Sequence, residues 1–340
     1  MSEIKKYGAI DIAKFVAAIF VICIHFPLVK QTDNLFLYYT KLVTSGSIAR
    51  IAVPFFFLCG GFFLYRKTSY ANFSFKPTIK YIKRIFFLYA IWSLIYLTWH
   101  IVNIINNPLS IFEYIKNFIL TTDRVHLWYL KGLGIAVLLV SSLLWLKIKP
   151  QVILLISFLF YIIGLLGCGY YGVLFARYEE FWLLKWYFET FETTRNGLFF
   201  GFFFVSLGMY LAYSGINISK TKSLVLFIIS LVLLITETVI IDFLGWVEMY
   251  DIQFFLIPAT LFIFLFLKNI EVKDNETLNV VRKISTLMYL SHPFVAKLFW
   301  FISIPAPFSF IVFTIATIAF SYGVVRLSEK EKFKWLKTFY

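Results

Sequence analysis

The sequence predicts an all-α protein, a polytopic membrane helical bundle of about ten transmembrane helices with both termini cytoplasmic. Three observations lead there. Hydrophobic residues make up 61% of the 340 and charged residues only 15%, and the mean hydropathy is +0.82, far from soluble domains with roughly 25% charge. The apolar residues, 42 Phe and 21 Tyr among them, come in long continuous runs. Alternating segments of about ten residues would mark an outer-membrane barrel instead. Finally, Lys and Arg cluster in alternate connecting segments, as the positive-inside rule requires of a multi-pass chain.

Ten runs qualify as helices, roughly 9 to 29, 47 to 65, 82 to 105, 126 to 146, 151 to 170, 195 to 214, 223 to 244, 251 to 268, 284 to 303 and 307 to 327. The first, "IDIAKFVAAIFVICIHFPLV", follows Lys5 and Lys6 in the manner of a signal peptide. It is span-length, holds Asp11, Lys14 and His25, and ends without a small-residue cleavage site, so it is expected to be retained. Arg50 opens the second run, Lys83 and Arg84 enter the third, and His126 with Trp128 opens the fourth. The fifth follows Pro150, and Arg195 with Asn196 opens the sixth. Glu237 and Asp242 lie in the later half of the seventh, and Asp251 opens the eighth. The ninth contains "MYLSHPF", where Pro293 frees a carbonyl that Ser291 or His292 can help satisfy. The tenth leads into a basic carboxyl terminus. No connection is long enough for a soluble domain, so residues 1–340 read as one integral-membrane domain.

With the termini inside, the basic stretch from Arg66 to Arg84 and the Lys-rich carboxyl terminus face the cytoplasm. Topology thus explains the net charge of +14 without invoking nucleic acid. Cys23, Cys59 and Cys168 lie scattered in apolar runs, a pattern of neither disulfides nor metal ligands.

Orientation assigns the polar residues a depth. Asp11 and Lys14 are three apart near the cytoplasmic end of the first helix, so they share a face and can pair. His25 lies fourteen residues beyond Asp11, ~21 Å along a straight helix, so the two cannot touch. The helix therefore carries two polar features, one toward each membrane surface. At the outer level His25, Arg50, His126, Trp128, Arg195, Asn196, Glu237, Asp242 and Asp251 are expected to form a polar chamber. At the inner level Asp11, Lys14, Lys83 and Arg84 form a cationic mouth suited to a phosphorylated cytosolic ligand. Each residue also has a plainer reading: His25 as an interfacial side chain, Arg50, His126 and Arg195 as anchors at helix starts, Trp128 as part of the aromatic belt, and the basic stretch as a contact with anionic membrane lipids.

The motifs "IDIAKFVAAIFVICIH", "RIAVPFFFLCGGFFL", "HLWYL", "RNGLFFGFFFVSLG" and "MYLSHPF" resemble, in order and at the expected intervals, those of acyltransferase family 3, the bacterial integral-membrane acyltransferases. The resemblance covers almost the whole chain. It implies transfer of an acyl group, commonly acetyl, from cytosolic acyl-CoA (acetyl-CoA as donor) to a hydroxyl of an envelope polysaccharide or lipid-linked glycan at the cell membrane, with no metal. By resemblance His25 is the essential histidine, Asp11 accompanies it in the first-helix signature, and Lys14 occupies a position more often arginine. Donor and acceptor contacts would then fall to Lys14, Arg50, Arg84, His126, Trp128, Arg195, Asn196 and Glu237. The wording of "RIAVPFFF" and "RNGLFFG" also resembles the membrane portion of vancomycin-resistance serine racemases, which is implicated in serine uptake. An O-acyltransferase and a transporter of a small serine-like amino acid therefore both stand as readings of the sequence.

Overall fold

The computed structural model describes residues 7–30, 33–66, 73–98, 126–175, 182–273, 275–299 and 301–340, with isolated positions in the intervals 67–72 and 99–125. Thirteen α-helices are followed among these residues: α1 (Gly8–His25), α2 (Leu35–Lys41), α3 (Ala52–Tyr65), α4 (Lys76–Leu97), α5 (Trp128–Trp145), α6 (Pro150–Leu166), α7 (Tyr171–Phe175), α8 (Trp182–Phe191), α9 (Phe202–Ser214), α10 (Lys220–Phe243), α11 (Leu256–Lys268), α12 (Glu276–Leu298) and α13 (Phe308–Leu327). Two π-helical turns, Leu42–Ser47 and Gly197–Gly201, lead toward α3 and into α9, and a 3₁₀ turn, Ile48–Ile51, adjoins the first of them.

Each of the ten expected segments contains a helix. Among the described residues six stretches are long and apolar enough to cross a membrane: Gly8–His25, Leu35–Tyr65, Trp128–Trp145, Gly197–Ser214, Lys220–Phe243 and Phe308–Leu327. This is a multi-pass membrane protein. The other four segments fall short for two different reasons. α6 and α11 are apolar but short, at 17 and 13 residues, below the ~20 residues that a straight span needs. α4 and α12 are long, at 22 and 23 residues, but carry several charges. The connection from Tyr171 to Thr194 holds α7 and α8.

The chain separates into two compact units, residues 1–56, 217–244 and 253–340 in the first and 57–216 and 245–252 in the second. In the first unit α1 packs along α12, α12 along α13, and α10 along α11. Ile10, Ala18, Ile22, Leu287, Met288 and Leu290 are fully or almost fully buried there. The outward face is just as apolar: α10 exposes Val225, Ile228, Ile229, Val232 and Phe243, which water would penalise and hydrocarbon does not.

In the second unit α5 packs against α4 and α9, and α6 packs against α9. The glycines of two motifs explain how α3 and α9 meet. A Cβ on Gly61 would collide with the Val205 carbonyl, and a Cβ on Gly208 with the Leu58 carbonyl. Reciprocal backbone-to-backbone approach of this kind requires small residues, as is usual for helix pairs in membranes. Around it an aromatic cluster fills the core. The Phe57 and Phe200 rings meet edge-on at 5.7 Å and 87°, and Phe200 meets Phe204 at 5.3 Å, geometries favoured by the ring quadrupoles.

Candidate functional site

Within the first unit, α1 and α12 run side by side in the same direction and touch through polar groups at both ends. At the amino-terminal end buried Asp11 receives two hydrogen bonds on Oδ2 from Arg282, from Nε at 3.0 Å and Nη2 at 2.8 Å. Its other oxygen lies 3.7 Å from Lys14 Nζ, the pairing expected from their three-residue spacing. Arg282 Nη1 also donates to Asn279 Oδ1 at 2.8 Å. Two cations thus share one carboxylate, and these three residues carry a net positive charge.

At the other end the rings of His25 and His292 lie with centroids 5.1 Å apart and planes tilted by 32°. Asp11 to His25 is fourteen residues and Arg282 to His292 only ten, ~21 Å against ~15 Å of helix. The long Arg282 side chain, leaning toward the amino-terminal end of α12 as helical side chains do, spans the difference. The two polar features of the first helix therefore remain separate, as expected, and each meets a partner on α12.

His292 is fully buried, and its Nδ1 lies 2.8 Å from the carbonyl of Tyr289. That carbonyl would normally accept from the N–H of residue 293, four positions on. Pro293 sits inside α12 and has no N–H to give. The imidazole therefore replaces the missing backbone donor, one of the two solutions the sequence allowed.

Of the remaining expected residues of this unit, Arg50 and Glu237 support backbone and Asp242 meets a side chain. Arg50 Nε donates to the Ser45 carbonyl at 2.9 Å, and Ser45 Oγ donates to the Cys23 carbonyl at 3.3 Å, two residues from His25. Buried Gln253 donates from Nε2 to the Gly46 carbonyl at 2.8 Å and accepts from Thr238 Oγ1 at 2.6 Å. Arg50 and Gln253 thus satisfy carbonyls of the π turn, a local geometry that often marks functional sites. Glu237 accepts from the backbone N–H groups of Phe254 and Phe255 at 2.6 and 2.8 Å. Its carboxylate caps the start of α11, where a negative charge meets the positive end of the helix dipole. Asp242 accepts from the Tyr38 hydroxyl at 2.5 Å.

The second unit gathers a different set. Arg195 lies over the Trp128 ring, 5.1 Å from its centroid, and its Nη1 is 3.3 Å from Asp251 Oδ2. Asn196 caps the π turn, its Oδ1 accepting from the N–H groups of Leu198 and Phe199 at 3.0 and 3.1 Å. The same side chain donates to the Tyr187 hydroxyl at 2.7 Å. Burial pushes the Tyr187 phenol up to about 12, so it stays a neutral donor and gives its own proton to the Thr193 carbonyl at 3.0 Å. Buried His126 meets Tyr96 edge-on at 5.1 Å and 84°. Arg84 is exposed on the first half of α4.

Arg282 and His292 were absent from the residues expected to act. Arg282 sits in a segment that reads as a positive-inside connection, and nothing in its neighbours signals Asp11 as a partner. His292 had a local signal in the proline that follows it.

Among curated proteins the chain is similar to an "Amino-acid racemase" of Enterococcus faecalis, 32% identical over 225 residues, covering 63% of this chain and 29% of that protein. It is also similar to a "Serine/alanine racemase" of Enterococcus gallinarum, 26% identical over 294 residues, covering 85% of this chain and 41% of that one. A further Enterococcus faecalis "Amino-acid racemase" is 29% identical over 301 residues, with the same two coverages of 85% and 41%. The chain thus spans less than half the length of these relatives. No solved structure matches it. One family description, "Acyltransferase domain", matches residues 7–326, running through both compact units from the start of α1 nearly to the end of α13, and the chain belongs to that family.

Proposed function

We propose that the protein transfers an acyl group, acetyl in the first instance, from cytosolic acyl-CoA to a hydroxyl of an envelope polysaccharide or lipid-linked glycan, across a bacterial cell membrane that it spans about ten times. The observation that carries this reading is the division of α1 into a cationic end, with Lys14 and Arg282 on Asp11, and an imidazole end at His25. Their separation of ~21 Å suits a donor whose phosphates and reactive thioester are held far apart by an extended phosphopantetheine arm. Within the first unit Lys14 would hold the phosphates by charge-assisted hydrogen bonds. Asp11 serves this end by fixing Lys14 and Arg282 in place.

At the other end neutral His25 accepts the acceptor hydroxyl's proton, the general-base task to which an imidazole is suited. The oxygen attacks the thioester carbonyl and forms the new C–O bond. The C–S bond then breaks, and the CoA sulfur leaves with the proton returned by His25. For the acceptor the first unit offers Arg50 and Glu237, which hold backbone, and the second, taken by itself, offers His126, Trp128, Arg195 and Asn196. Arg195 stacked on Trp128 presents a cation and an aromatic face, a pairing suited to an anionic sugar.

The test is reconstitution of the full chain in liposomes with acetyl-labelled acetyl-CoA, an envelope glycan fraction and, separately, labelled serine. Label passing into the glycan is the expected result. Serine accumulation without acyl transfer would hand the protein to the transporter reading.

A further inference from the structure

We propose that the helical segment following α13 binds the headgroups of anionic phospholipids, lying along the membrane surface where that span ends. Residues Glu331–Phe339 form a 3₁₀ helix of nine residues, which completes a turn every three residues, so positions three apart share a face. Its faces differ in chemistry. Phe333, Leu336 and Phe339 are half-buried. Lys332, Trp335 and Thr338 make a second face, Lys334 and Lys337 belong to the third, and all five are exposed.

α13 ends at Leu327, and the segment packs back against it. Ser328 Oγ and the Tyr340 hydroxyl share a buried hydrogen bond of 2.7 Å, which returns the far end of the segment to the point where α13 stops. A chain tied in this way crosses the end of the span and does not continue its axis away from the membrane. α13 faces lipid along its length, exposing Phe308, Ile311, Ile315 and Tyr322. The crossing therefore lies at the rim of the first unit, at headgroup level.

Charge identifies the partner. Residues 330–340 hold four lysines and one glutamate. The acids at hand are taken: Glu331 Oε1 lies 2.5 Å from Lys334 Nζ, and Glu276 and Glu329 both pair with Arg326, at 3.8 and 3.3 Å. These pairs leave the charge of Lys330, Lys332 and Lys337 uncompensated. Trp335 is 58% exposed, a position that water disfavours for a large apolar ring and that the membrane interface favours, with the ring toward the acyl chains and the N–H among the headgroups. Exposed lysines beside an exposed tryptophan on an amphipathic helix match a surface of phosphates over hydrocarbon. A soluble acidic partner would satisfy the lysines but would give no reason for an apolar ring at the end of a lipid-facing span. Nothing in this contact depends on acyl transfer.

The test uses the full-length protein with a nitroxide on Thr338→Cys, in nanodiscs of phosphatidylcholine alone or in equal parts with phosphatidylglycerol. Cys23, Cys59 and Cys168 are buried, which directs the label to the new position. Access of the nitroxide to oxygen, which concentrates in hydrocarbon, against a neutral water-soluble nickel chelate reports its depth. In anionic discs the label should be shielded from the chelate, and high salt should restore access by screening the lysines. A lysine near an anionic surface is worth about fivefold in the docking equilibrium, so Lys332→Gln combined with Lys337→Gln should weaken docking roughly 25-fold. Trp335→Ala should lower oxygen access with the lysines intact. Equal chelate access in the two lipids, or a response unchanged by replacing both lysines, would overturn the inference. So would a label that ignores anionic lipid and is immobilised by soluble cell extract, which would give this face to a protein partner.

Discussion

The contact between Asp11 and Arg282 joins residues 271 apart in sequence and ties the donor end of α1 to α12. Its strength can be worked from the geometry. Asp11 is almost fully buried, whereas the Arg282 side chain is 41% exposed. A charge-assisted hydrogen bond contributes about 1.5–3 kcal/mol, and breaking a wholly buried ion pair costs about 3–5 kcal/mol. Exposure of the guanidinium lowers the expectation, because solvent screens one partner. The neighbouring Lys14 at 3.7 Å lowers the cost of losing Arg282 further, since it remains to balance the carboxylate. A coupling energy of about 1–2 kcal/mol follows. It is read from a double-mutant cycle on Asp11→Asn and Arg282→Gln by unfolding of the detergent-solubilised protein. Asp11→Asn alone should be the worse single variant, because it leaves two cations facing each other. Single-variant effects that add within about 0.3–0.5 kcal/mol would show the pair to be uncoupled and would remove the proposed anchor of Lys14.

Other outcomes follow from separate contacts. Glu237→Gln replaces one of the two oxygens that accept from Phe254 and Phe255 and should lower stability by about 1–2 kcal/mol, as for a lost cap, while leaving the KM for acetyl-CoA unchanged; a large KM effect at full stability would assign Glu237 to donor binding. Gly61→Ala inserts a methyl against the Val205 carbonyl and should cost about 1–3 kcal/mol by overpacking, seen as a lowered melting temperature, and an unchanged melting temperature would contradict the close approach. Lys76→Cys should react with an impermeant thiol reagent only from the cytoplasm and Glu192→Cys only from outside, and the reverse pattern would invert the proposed orientation.

Local chemistry was legible in the sequence wherever the cause lies within a few residues. The three-residue step from Asp11 to Lys14 and the carbonyl freed by Pro293 both depend on neighbours along one helix. Periodicity and run length placed a helix in each of the ten segments for the same reason. Pairings between helices were not legible, since Asp11 with Arg282 and His25 with His292 depend on which helix α1 packs beside, and no spacing along the chain encodes that. Arg195, Trp128 and Asp251 were expected at one level and do meet in the second unit. Glu237 and Arg50 illustrate a different gap. Composition marks a buried charge as costly, but whether it is satisfied by a ligand or by backbone depends on the turn it adjoins. Here a π turn and a helix start supply the partners.

The most direct measurement of the central claim is acyl transfer by wild type and His25→Ala, assayed side by side in membranes supplied with acetyl-labelled acetyl-CoA. General-base assistance is typically worth about 10²- to 10⁴-fold, so the variant should lose transfer to envelope acceptors by at least that lower figure. Its expression, topology and acetyl-CoA binding should stay close to wild type, because the cationic end of α1 lies ~21 Å away. Transfer by His25→Ala at the wild-type rate would contradict the account.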